Sequence, residues 1–141
     1  MQLSPVITRL KSQVTAFKKV AGAAEYGAAR KDLKPLPPTA FVIPLRDAAG
    51  RNELENAISQ RVGVQFAIVL AGQNLRDPRG DQAHEDLDPL RDAVMTALLG
   101  WQPDTNHDPC EYVGGQLLDL DGSLVWWQDV FTTAFYARSV Q

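Results

Sequence analysis

One cysteine, Cys110, stands alone among 141 residues. That excludes an intramolecular disulfide and any cluster of several thiolates on a metal, and it fits a reducing compartment. Histidine is almost as scarce, with two. No stretch approaches the ~18 uninterrupted apolar residues that cross a bilayer. The longest comparable run, Val62 to Gly72, is broken by Gly63 and Gln65. The opening Met1-Gln2-Leu3-Ser4-Pro5 lacks the basic-then-apolar pattern of a secretory leader. A soluble, unprocessed chain without membrane contact is the expectation. Catalytic signatures are missing too. Ser59 and Ser123 sit in no Gly-x-Ser-x-Gly frame, Gly114-Gly115 leads into no phosphate loop, and Gly22, Gly27 and Gly50 make no dinucleotide fingerprint.

Lysine is absent after residue 34, and this absence exposes a split in the charge. Residues 1–40 carry seven basic groups against Glu25 and Asp32, a local +5, while the remainder carries a local −8; the whole chain is −3. A small net negative charge gives no bulk attraction to nucleic acid, whereas asymmetry between segments points to an interaction surface. At 45% hydrophobic and 22% charged the composition is that of an ordinary globular protein, and the length suits one domain over residues 1–141.

Ser4-Pro5 reads as a helix start, with Ser4 as N-cap and Pro5 in the first turn. Val6, Ile7, Leu10, Val14 and Phe17 then make one apolar face, with Arg9, Lys11, Lys18 and Lys19 on the other. Small residues from Ala21 to Arg30 extend this helix or form a second short one. Pro35, Pro37 and Pro38 make a stiff linker. Residues 40–45 read as a strand in which Pro44 marks an edge or an end. The clearest strand is Ile58 to Ala71, with Val62, Val64, Phe66, Ile68 and Leu70 alternating onto one face. Its partner is about half as long and the loop from Asp47 to Asn56 is longer than a usual hairpin turn, so a long projecting β-hairpin is expected. After the loop 72–80 and an acidic stretch, a helix starts at Asp88-Pro89 and stops at Gly100, with Leu87, Leu90, Val94 and Leu98 on one stripe. Asp121-Gly122 signals a tight turn into a return strand, Leu124 to Tyr136, where Trp126 and Trp127 point to opposite faces. The order α-β-β-α-β-β predicts an α+β fold: an antiparallel sheet of about four strands with two main helices on one face.

Three constellations invite a chemical reading. Asp81, Glu85, Asp86, Asp88 and Asp92 crowd a helix start, where the dipole favours negative charge, and His84 lies one turn from Asp88. A metal-dependent hydrolase would use such a pair, yet no HExxH or EF-hand spacing accompanies it. His107, Asp108 and Cys110 resemble a nucleophile with its base, but near neighbours in a loop seldom point at one another. Asp129 falls on the same strand face as Trp127, Phe131 and Phe135. A buried charge there needs a cation, such as one on a neighbouring subunit, or a bulge that turns it outward.

Taken in order, the chain is similar to the phage tail terminator family, in its Mu-like and long-tailed phage subgroup. The resemblance rests on Val6-Ile7-Thr8-Arg9-Leu10-Lys11, Ala40 to Leu45, Gln60-Arg61-Val62, Asn74 to Gly80, Leu98 to Pro103, and Val125 to Asp129. It implies a non-enzymatic structural virion protein with an α+β domain. It implies a hexameric ring at the head-proximal end of the tail tube, which ends polymerisation and docks the head. The implied partners are other copies of itself, the tail tube protein and the head–tail connector or head completion protein. The resemblance further implies that DNA passes through the lumen without specific binding and that neither cofactor nor membrane is involved. Location in the virion, after assembly in the host cytoplasm, follows. No catalytic or metal residue is carried over. A ring needs two different complementary patches per subunit. The hairpin residues Arg46, Asp47, Arg51, Glu53 and Glu55, with Lys11, Lys18, Lys19 and Asp129, are the candidates for contact with a neighbour or the tube. Another tail-assembly part, such as a head–tail joining or tail completion protein, is the alternative, and the metal-dependent hydrolase a distant one.

Overall fold

A mixed five-stranded sheet organises the chain in a computed structural model, which describes residues 1–31, 34–73 and 87–139. The element order is α1 (Ser4–Gln13), β1 (Lys19–Ala21), α2 (Ala23–Lys31), β2 (Thr39–Ala49), β3 (Ser59–Gln73), α3 (Asp88–Leu98), β4 (Glu111–Asp121) and β5 (Leu124–Arg138). Across the sheet the strands stand β1-β2-β3-β5-β4, with β1 parallel to β2 and every other pair antiparallel. The α+β class agrees with expectation, but the sheet of about four antiparallel strands does not: it is five-stranded and mixed, because the short β1 adds a parallel edge. Of the two alternatives for residues 21–30, a separate second helix, α2, is the one that forms. β1 exists because Lys19–Ala21 pairs with Thr39–Phe41, a long-range match that no local periodicity announces.

Helices cover both faces of the sheet, not one. On one face Val6 and Leu10 of α1 and Val94 and Leu98 of α3 pack on Val42, Phe66, Ile68, Leu70 and Phe131. On the other, Tyr26 and Ala29 of α2 pack on Phe41, Ala67, Val69, Ala71 and Trp126. This double cover is why β3 is buried without interruption from Phe66 to Gly72, where strict alternation would leave every second residue wet. Trp126 and Trp127 do divide between the faces: the first is fully buried under α2, the second half-buried on the opposite side.

α1 ends at Gln13, where Val14 leaves helical geometry (φ −121°, ψ 82°), so Lys18 and Lys19 do not belong to its polar face. Val14 and Phe17 are nevertheless buried, because the chain after the helix still crosses the same core. Neither Ser4 nor Asp88 caps through its side chain; Leu3 and Leu87 occupy the cap positions, and Leu3 O accepts from the amides of Val6 and Ile7. Gly100 takes a positive φ of 79° just past α3, the left-handed turn that ends a helix. The β4–β5 turn is Gly122-Ser123, one residue later than expected, since Asp121 already pairs with Leu124. Gly122, at φ 60°, supplies the glycine-first position that such a hairpin demands.

β2 is longer than its apolar segment suggests. It continues through Arg46 to Ala49, paired with residues 62–65 of β3, after a bulge at Leu45. Pro44 is tolerated because β1 pairs only with residues 39–41, leaving this stretch of β2 an open edge. β3 in turn pairs with β5 as far as Ser59–Arg138. The projecting hairpin is therefore a three-stranded arm, exposed along β2 from Pro44 onward and closed by the loop 50–58.

Candidate assembly surfaces

Asn52 makes four of the hydrogen bonds that order the arm tip, and Gln60 Nε2 adds one to the Gly50 carbonyl at 2.9 Å. Asn52 donates from Nδ2 to the carbonyls of Leu54 (2.8 Å) and Ala57 (3.0 Å), and its Oδ1 accepts from the amides of Leu54 (3.2 Å) and Ser59 (2.8 Å). Gly50 N and Glu53 N close the loop on Arg61 O and Ser59 O. All five residues expected on this hairpin, Arg46, Asp47, Arg51, Glu53 and Glu55, are exposed. Arg46 and Asp47 point to opposite faces of the arm, being paired with Gln65 and Val64. Between the two glutamates Leu54 is 51% exposed, an apolar side chain held out by a fixed loop.

The lysines lie at the other end of β2. Lys11 is exposed on α1, while Lys18 and Lys19 are exposed beside a cavity of about 400 Å³. Lys34, Ala28, Ala29, Leu36 and Phe41 complete much of its wall. Part of the charge split is settled inside the chain. Arg30 reaches Asp119 at 3.3 Å and lies over the Trp126 ring, and Lys34 pairs with Asp121. Arg9 donates to the Ala97 carbonyl at 3.0 Å, tying α1 to α3. Lys18 and Lys19 have no carboxylate partner among the described residues.

Asp129 is 1% exposed and faces inward. The cation that meets it is Arg91 of the same chain, from α3: Nε and Nη2 donate to Oδ2 and Oδ1, both at 3.1 Å. Tyr112 Oη (2.9 Å) and Trp127 Nε1 (3.0 Å) also donate to Oδ1, and the guanidinium stacks over the Trp127 ring at 4.3 Å. The bulges in this region lie on β4, at Val113 and Leu118, so none turns Asp129 outward. The hydrogen bond to Asp129 holds the Arg91 pKa above its ordinary value against the opposing cost of burial. Burial, then the bond to Asp129, raises that of Tyr112. Gly115, opposite Asp129 in register, makes the room: a Cβ there would sit 2.3 Å from Asp129 Oδ1 and 2.7 Å from Tyr112 Oη. Of this cluster the sequence singled out only Asp129. Register, and not spacing along the chain, brings Arg91, Tyr112 and Gly115 to it.

The remaining constellations do not converge. His107 packs on Phe135, Asp108 pairs with Arg61, and Cys110 is buried, its thiol pushed up to about 11 by desolvation. A nucleophilic cysteine needs the reverse shift. Asp88 lies 3.5 Å from Arg91, while Asp81, His84, Glu85 and Asp86 fall outside the described residues, as does the 74–80 segment of the resemblance. Among the described residues no three of His, Cys, Asp and Glu gather as metal ligands, and no helix is long and apolar enough to cross a membrane. A search of curated proteins finds no match. The family model described as phage tail terminator protein matches residues 1–141, the whole chain.

Proposed function

The chain belongs to the phage tail terminator family, a family of structural proteins of tail assembly, and from that premise we propose that it forms a ring capping the head-proximal end of the tail tube. The ring ends tube polymerisation and gives the filled head its docking surface. It resides in the virion after assembly in the host cytoplasm. Its partners are further copies of itself, the tube protein below and the connector or head completion protein above. The family match over the full length carries the reading. Two features of the chain support it. A ring requires a heterologous contact between unlike patches, and the arm tip with Glu53 and Glu55 lies at the opposite end of β2 from Lys18 and Lys19, which have no carboxylate partner among the described residues. A net charge of −3 suits a lumen through which DNA slides without being gripped. Arg46, Asp47, Arg51, Glu53 and Glu55 then contact a neighbour or the tube, and Lys11, Lys18 and Lys19 serve the seam.

Deleting the gene in the phage should yield overlong or headless tails, seen by negative-stain microscopy. The purified protein should form a closed assembly of about six copies by mass photometry. Normal particles from the deletion would refute the role.

A further inference from the structure

We propose that the arm tip Glu53-Leu54-Glu55 of one copy seats in the lysine-rimmed cavity of a second copy, forming the seam of the ring. The inference rests on the ring reading and supplies its contact. The two surfaces are complementary in charge and alike in apolar character. The tip is an exposed leucine between two exposed glutamates, held rigid by the four hydrogen bonds of Asn52, so little conformational entropy is lost when it docks. The cavity, of about 400 Å³, has Ala28, Ala29, Leu36 and Phe41 as apolar lining and Lys18 and Lys19 at its rim. That volume lies in the range of sites that bury a small ligand. Glu25, the acid among the described lining residues, already accepts a bond from the Gly22 amide at 3.3 Å. Lys34 is held by Asp121, which leaves Lys18 and Lys19 as the cations to meet Glu53 and Glu55.

The contact is between copies. Thr39 lines the cavity and Gly50 begins the tip, at opposite ends of β2. Strand geometry puts them roughly 35 Å apart, beyond any reach within one chain. A tip meeting an unlike cavity is heterologous, the arrangement that closes into a ring or runs on as a filament.

A charge-exchange experiment tests this, because every substituted position is exposed and the fold is spared. Glu53→Lys/Glu55→Lys alone should weaken assembly at least about tenfold, and so should Lys18→Glu/Lys19→Glu. Mixed in equal amounts, the two variants should assemble again, since an alternating ring satisfies every seam. In parallel, Leu54→Cys chains should form disulfides with Ala28→Cys chains and not with themselves, the buried Cys110 staying out of reach. If the wild-type ring forms but the mixture fails to recover, or Leu54→Cys chains link only to each other, this seam is overturned while the ring survives. A wild-type chain that stays monomeric at high concentration overturns both.

Discussion

Removing the Arg91 side chain and removing the Asp129 carboxylate are unequal losses, because the partners are unequally buried. The Asp129 side chain is 2% exposed and that of Arg91 22%. Arg91→Ala therefore strands a carboxylate in the interior and should cost about 3–5 kcal/mol. Asp129→Asn leaves a cation that still reaches water and Asp88, for about 1–2 kcal/mol. Urea unfolding of both variants should give that order; equal or reversed costs would show that the pair is not the organising contact of this face. Gly115→Ala drives a methyl into the same carboxylate and should cost about 2–4 kcal/mol. Cys110 makes a second prediction at this scale. Its unfolded thiol ionises near 9.0 while the native one stays protonated to about 11. The unfolded state then binds fewer protons in that interval, so this contribution is full below pH 9 and lost as pH rises through about 11. The loss is about 3 kcal/mol, and Cys110→Ala should flatten that part of the alkaline decline. Tyr112, also raised, keeps a slope of the same sign in the variant.

The arm shows where element-level structure was legible and where it was not. Its apolar alternation marked β3 to within a residue or two, because burial writes a period of two into Val62, Val64, Phe66, Ile68 and Leu70. The outer half of β2 carried no such mark: Asp47, Ala48 and Ala49 are poor strand formers that extend only because β3 lies beside them. β1 was hidden for the same reason, and the end of α1 because Val14 and Phe17 keep helical spacing while facing the core from outside a helix. The Asp129 cluster was invisible in part because Arg91 and Tyr112 arrive from α3 and β4, and register, not spacing, brings them together. Asn52 tests how self-contained the arm tip is. Asn52→Ala removes four bonds confined to the loop. Global stability should fall by no more than about 1 kcal/mol, while amide exchange at Leu54 and Ser59 accelerates strongly. Exchange that instead rises throughout β3 and β5 would mean that the tip and the sheet open as one unit.

On the scale of the molecule, the charge split is no longer one feature. Arg30 and Lys34 spend their charge on Asp119 and Asp121, binding α2 and the linker to the far edge of the sheet. Among the described residues the adjacent Lys18 and Lys19, and Glu53 and Glu55 on either side of Leu54, are exposed charges without an ion pair inside the chain. Salt and hydrophobic burial act differently on these parts. Raising NaCl from about 0.1 M to about 1 M shortens the screening length from about 10 Å to about 3 Å, which weakens the exposed ion pairs. The burial of Leu54 is not screened, and high salt favours it if anything. The ring should accordingly loosen with salt but not vanish, its association constant falling by about tenfold in mass photometry. Leu54→Asp should invert the balance, giving a weaker ring whose residual association collapses in salt. If the wild-type ring is indifferent to salt and Leu54→Asp assembles as the wild type does, neither the lysines nor the tip forms the seam, and the split in charge is surface chemistry alone.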